Sequence, residues 1–152
     1  MGLFDKLAGT RYPDPGVVPL PAADVRAALL VLDGPEVPYR IRNALPAEKA
    51  DLVAEWQVRE LRTRLRTRMR LVPEHHEVRV LEERWDLSPD RSRRYGRGPT
   101  PTVSRQWTYE RGPDGRRRRV ETFRFDSREM SHSLRNAVLD SGWTWRGVLF
   151  RW

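Results

Sequence analysis

The sequence predicts an α+β domain, an antiparallel sheet of six or seven strands with two amphipathic helices on one face. Three observations predict it. Residues 61–71 read LRTRLRTRMRL, a strict period-two alternation. Two other stretches, beginning at Pro21 and near Asp126, repeat apolar residues at three- and four-residue spacing. Short β-rich runs fill much of the remainder, separated by Pro- and Gly-containing turns.

In the alternating run Arg62, Arg64, Arg66, Arg68 and Arg70 would scatter around a helix but share one face of a strand. Leu61, Thr63, Leu65, Thr67, Met69 and Leu71 take the other face and suit a half-buried pleated surface. The segment therefore predicts one wall of core and one row of positive charge, with the arginine heads in water.

Taken in order, residues 1–20 read as an irregular N-terminal arm ahead of a single domain over 21–152. Three prolines deny the arm regular structure after Thr10, while Leu3, Phe4 and Leu7 can form one amphipathic turn that docks on the body. The first helix starts at Pro21, carries Val25, Ala28, Leu29 and Leu32, and stops at Asp33-Gly34. Strands are expected over 39–43 and 51–58. Even-numbered apolar residues there (Trp56, Val58) give way to odd-numbered ones beyond, so a bulge or turn near Arg59-Glu60 must absorb the slip.

The run VPEHHEV reverses the chain into a strand over 76–87. Setting Val72 opposite Glu77 pairs Leu71 with Val78, Met69 with Val80, Arg66 with Glu83 and Arg64 with Trp85. It also sets Arg70 against Arg79. Like charges ~7 Å apart repel by only ~0.6 kcal/mol in water, so the register is tolerable. Residues 88–101 read as a flexible loop. Strands over 102–111 and 117–125 follow, joined by Gly112-Pro113-Asp114-Gly115, then a second helix capped at Asp126 or Ser127. Met130, Leu134, Ala137 and Val138 form its apolar stripe, Gly142 ends it, and a β-rich segment, WTWRGVLFRW, closes the chain.

Composition narrows the function classes. The 152 residues include no cysteine, which removes disulfide and thiolate chemistry. No apolar run approaches the ~20 residues of a membrane span, and the start lacks a signal peptide's layout, so a cytoplasmic protein is expected. The net charge of +8 is uneven: residues 1–58 hold six Lys or Arg against eight acids, residues 59–152 hold 23 Arg against 13. An anionic partner accounts for such a field, and so does codon bias, since only Lys6 and Lys49 among the 29 basic residues are lysine.

Chemistry-bearing motifs are few. His75 and His76 fall in a tight turn where adjacent side chains diverge, and His132 is expected to pair with Glu129 on a helix surface. Glu82 and Glu83 point to opposite faces of a strand and cannot act as one catalytic pair. No P-loop, dinucleotide fingerprint or nucleophile elbow is present. No cofactor or metal is implied.

The candidate binding residues are the arginine row, Arg62 to Arg70, and the strip Arg105-Gln-Trp107-Thr-Tyr109-Glu-Arg111. Alternation puts Arg105, Trp107, Tyr109 and Arg111 on one face, an arrangement that can stack bases and hold phosphates. The competing reading turns both rings into the core under arginine stems, and six tryptophans spread over the strands favour it. The tetra-arginine run at 116–119 adds charge to the next strand.

Two stretches, MRLVPEHHEVRVLEERW (69–85) and ETFRFDSREMSHSLRNAVLDSGWTWRG (121–147), with MGLFDKL and DLVAEW (51–56), resemble a family of small actinobacterial proteins with no assigned function. The resemblance implies a bacterial cytoplasmic protein and no particular chemistry. The expected function is a non-enzymatic binding module whose basic sheet face meets an acidic protein partner. A nucleic-acid binder is the alternative, and a small-ligand or enzymatic pocket between helices and sheet the third reading.

Overall fold

The computed structural model describes residues 2–87, 94–150 and 152. Along the chain come α1 (Leu3–Ala8), α2 (Ala22–Leu30), β1 (Arg40–Asn43), β2 (Leu52–Val58), β3 (Thr63–Val72), β4 (Glu77–Asp86), β5 (Arg94–Arg97), β6 (Val103–Arg111), β7 (Arg117–Asp126), α3 (Arg128–Asp140) and β8 (Thr144–Gly147). Among the described residues six strands form one sheet in the order β1-β2-β3-β4-β5, with β8 also on β4, while β6 and β7 form a separate pair. The α+β class and the two helices against one face are as the sequence predicts.

Short reversals set the sheet's register. Residues Arg59–Leu61 and Pro73–His75 each make one 3₁₀ turn, closed by a non-glycine residue in the left-handed region, Arg62 (φ 49°) and His76 (φ 47°). The first turn absorbs the slip expected near Arg59-Glu60. The second places Val72 opposite Glu77, Met69 opposite Val80 and Arg66 opposite Glu83, the register that apolar matching predicts.

Odd-numbered residues of β3 face the helices. Leu65 and Met69 are buried there with Trp56, Val78 and Val80, beneath Val25 and Leu29 of α2 and Met130, Leu134 and Val138 of α3. The stripe read for the second helix is its core face. Gly142 ends that helix at φ 76°, and a Cβ there would come within 2.9 Å of the Val18 and Pro19 backbone. The extended N-terminal segment thus runs across the helix end, held by Leu20 N–H donating to the Ser141 carbonyl and by the indole of buried Trp143 donating to the Leu20 carbonyl at 2.8 Å.

Four expectations are corrected. The arm is not irregular throughout: it contains α1 and an antiparallel bridge between Arg11 and Trp145. Its Leu3, Phe4 and Leu7 remain exposed, and Ala8 makes the buried contact instead, against Gly147. Part of the expected 88–101 loop, Arg94–Arg97, is a strand paired with the end of β4; residues 88–93 lie outside the described residues. The closing segment contributes β8, which runs parallel to the start of β4, so the sheet is antiparallel except at that pairing.

The fourth correction matters most for function. The strands expected over 102–111 and 117–125 do not join the sheet. They form a ribbon anchored at its base, where buried Phe125 meets Trp56 edge-on at 4.7 Å and Phe123 packs half-buried against the core. A bulge at Thr122, between the Gln106–Phe123 and Trp107–Glu121 pairs, marks where the ribbon leaves the body. Beyond it, Trp107 to Arg111 and Arg117 to Arg119 are all exposed.

Candidate functional site

Two sets of arginines carry the predicted binding function, and the fold treats them differently. In the β3 row, Arg62 lies outside the strand in the left-handed turn position. Arg64 pairs with Glu55 of β2 at 2.9 Å. Arg66 and Arg68 both reach Glu83 of β4, at 3.1 and 2.8 Å, and Tyr95 of β5 donates its hydroxyl to the same carboxylate at 2.6 Å. Arg70 donates to the Lys49 carbonyl at 3.0 Å. Register is the cause: β3 is an inner strand, and acids on both neighbours stand opposite its arginines.

Aromatic rings complete this surface. Arg64 and Arg66 lie over Trp85 at 5.3 and 5.0 Å from the ring centre, Arg68 and Arg70 over Trp152 at 5.2 and 4.9 Å. The Arg68 side chain is only 12% exposed and Arg66 21%, against the expectation that the heads stay in water. Val53 and Leu81, beside Arg68 on that face, are fully buried. Arg42 holds the neighbouring Glu48 carboxyl down to about 2, mainly through their 2.7 Å hydrogen bond. Burial, then its hydrogen bond to Glu83, raises Tyr95 above the usual phenol range. The row is a cross-linked layer of side chains, and most of its charge is matched within the chain.

The ribbon is the opposite case. Arg105, Trp107, Tyr109 and Arg111 share a face of β6, and across the ladder Arg117, Arg119 and Arg124 stand on that same face, with Glu121 opposite Trp107 as the one acid among these paired positions. Among the described residues none of these five guanidinium groups has a carboxylate within 4.0 Å. Trp107 is 40% exposed and Tyr109 67%, which overturns the reading that buries them in the core. Arg119 covers Trp107 at 4.1 Å from the ring centre. The strip is thus an open surface of two adjacent rings flanked by five arginines without ion pairs among the described residues and one acid, Glu121.

The sequence pointed to four of these residues as a site, and to Arg117 and Arg119 only as part of the tetra-arginine run, with Arg124 unassigned. The signal was present in the alternation of Arg117 and Arg119; Arg124 is brought onto the face only by the Thr122 bulge, which alternation does not reveal. The other motifs are quiet. His76 closes its turn beside Trp143, ring centres 5.8 Å apart, and no cluster of three or more metal-ligating side chains exists among the described residues. No helix among them is long and apolar enough to cross a membrane. Comparisons with family models, with curated proteins and with solved structures return no match to this chain.

Proposed function

We propose that the protein is a non-enzymatic binding module that takes single-stranded nucleic acid on the β6–β7 ribbon. The observation that carries this is the exposed face where Trp107 and Tyr109 stand among five unmatched arginines. Bases stack on exposed rings with little regard for sequence, at about 1–3 kcal/mol each, while arginines flanking the rings neutralise phosphates. The β3 row adds less, because Glu55 and Glu83 already occupy Arg64, Arg66 and Arg68.

A second reading rests on a different feature. Among the described residues β6 and β7 pair only with each other, so both outer edges of the ribbon carry backbone groups with no strand partner there. An acidic protein segment can add a strand there, with its carboxylates against the same arginines.

Fluorescence anisotropy of a labelled oligonucleotide, from about 50 to about 300 mM salt, separates the two. About four phosphate contacts give a log–log slope near −3, at ~0.7 per phosphate. Trp107→Ala weakens binding by about 1–3 kcal/mol at unchanged slope, and Arg119→Ala flattens the slope. No binding at the low-salt end eliminates the nucleic-acid reading, since electrostatic attraction is strongest there. Binding indifferent to Trp107 reduces it to unspecific charge attraction and favours the protein partner.

A further inference from the structure

On the helix side of the sheet, away from the ribbon's open face, a second group of cations converges on a cleft of about 260 Å³. Its far wall is one edge of α3, where Arg128, Ser131, His132 and Arg135 recur at i, i+3, i+4 and i+7, a stripe beside the core stripe Met130, Leu134 and Val138. The near wall is the N-terminal arm. Gly9 (φ 77°) ends α1 in a left-handed turn, and Lys6 and Arg11 on either side of it line the cleft. The floor is Glu82 of β4, and Pro99 and Pro101 close one end.

Charge in this cleft is unbalanced. Arg128 is engaged by Asp126, 2.7 Å away. Lys6, Arg11 and Arg135 have no carboxylate within 4.0 Å among the described residues. Glu82 is half-buried, and among the described residues neither of its carboxylate oxygens reaches a cation closely enough to form an ion pair. It forms part of a second cavity of about 190 Å³ on its other side, where Arg84 and Arg97 are the nearby cations. Glu83, the adjacent acid, points through the sheet to the arginine row.

We propose that this cleft is a binding site for a small dianionic oxyanion, the phosphoryl or sulfuryl group of a metabolite-sized molecule, held by Arg135, Arg11 and Lys6 with Ser131 as hydrogen-bond donor. The site is independent of the ribbon and of any macromolecular partner. Cations gathered from the N-terminal arm and from α3 around one cleft set up a local positive field that attracts an anion. Arginine and serine supply the N–H and O–H donors that a tetrahedral oxyanion accepts.

The floor makes the site proton-coupled. Burial pushes the Glu82 carboxyl up to about 7, with Arg135 pulling it back in part. Around it stand Lys6 and Arg11 from the arm, Arg128, His132 and Arg135 from α3, Asp126 beyond Arg128, and Arg84 and Arg97 in the adjoining cavity. Partial burial and then Arg135 push the His132 imidazole below its ordinary range. Below neutrality Glu82 is protonated and the bound anion meets only cations and donors. Above it the carboxylate enters the site as a like charge, and affinity falls as pH rises.

Sulfate is the discriminating probe, because its charge is constant where phosphate itself titrates. Calorimetric titration of the full chain with sodium sulfate, in chloride matched for ionic strength, is expected to show one saturable site. Affinity should be several-fold higher at about pH 6.5 than at about pH 8.5. Glu82→Gln should keep the site and flatten that dependence. Arg135→Gln should weaken binding about tenfold or more, and Lys6→Gln, on an exposed side chain, gives a second test should the helix variant fail to fold. Lack of saturable binding overturns the proposal. So does sulfate binding that is unchanged in both variants, or that is lost instead in Arg119→Gln, which would place the anion on the ribbon.

Discussion

The β3 row and the β6–β7 ribbon both gather arginines on one face of a strand by alternation, and reach opposite outcomes. β3 lies between β2 and β4, which set Glu55 and Glu83 opposite its arginines and Trp85 beside them. Its cations are absorbed into the structure. Among the described residues β6 has one neighbour, itself rich in arginine, so the ladder opposes Arg105 to Arg124, Tyr109 to Arg119 and Arg111 to Arg117, with Glu121 opposite Trp107 as the one acid among these pairs. Alternation decides which face a charge occupies. The neighbouring strand decides whether that charge is structural or available.

The same contrast recurs between adjacent acids. Glu83 accepts from Arg66, Arg68 and Tyr95 on the row face, whereas Glu82 faces the helix side with Arg135 as the only charge acting on it appreciably. Glu83→Gln removes the charge that two arginines share and leaves both half-buried against each other. It should cost about 3 kcal/mol, the largest effect on this face, read as a shift in urea midpoint. Glu82→Gln should act through pH. A carboxyl near 7 in the folded chain and near 4.5 unfolded binds its proton more tightly when folded. Stability contributed by that proton is complete below pH ~4.5 and is lost as pH rises through ~7. The parent should therefore lose roughly 3 kcal/mol across that window relative to the Glu82→Gln variant, in melts at matched ionic strength.

Arg64→Ala sits lower still. Arg64 is the more exposed arm of the row, 44% exposed against 12% for Arg68, so its pair with Glu55 should contribute less than about 1 kcal/mol. Arg62→Gly should change least, within about 1 kcal/mol and toward greater stability, because glycine relieves the left-handed backbone at φ 49°. A larger loss would show that the Arg62 side chain belongs to the network after all.

Much of the sheet was legible because its information is local. Odd-numbered apolar residues in β3, matched against Val78 and Val80, were enough to place Arg66 opposite Glu83, and the parity change between Val58 and Leu61 required the turn at 59–62. What the sequence hid depends on long-range choices. Nothing local to residues 102–126 says that this hairpin leaves the sheet, since alternation is the same for a ribbon and for an inner strand. The candidate surface was half legible for that reason: its residues were found, but their exposure was not. The parallel pairing of β8, the Arg94–Arg97 strand and the meeting of Lys6, Arg11 and Arg135 likewise arise from packing between segments far apart in the chain.

The contrast between bound and available arginines is most directly tested by equilibrium urea unfolding of two single variants, Arg68→Ala and Arg119→Ala. Arg68 is nearly covered, pairs with buried Glu83 and lies beside Trp152, so its loss should lower stability by about 2 kcal/mol. Arg119 is exposed and has no ion pair among the described residues, and its loss should stay within about 0.5 kcal/mol of the parent. Equal costs, or a larger cost at Arg119, would contradict the division of the two arginine sets into structural and available charge.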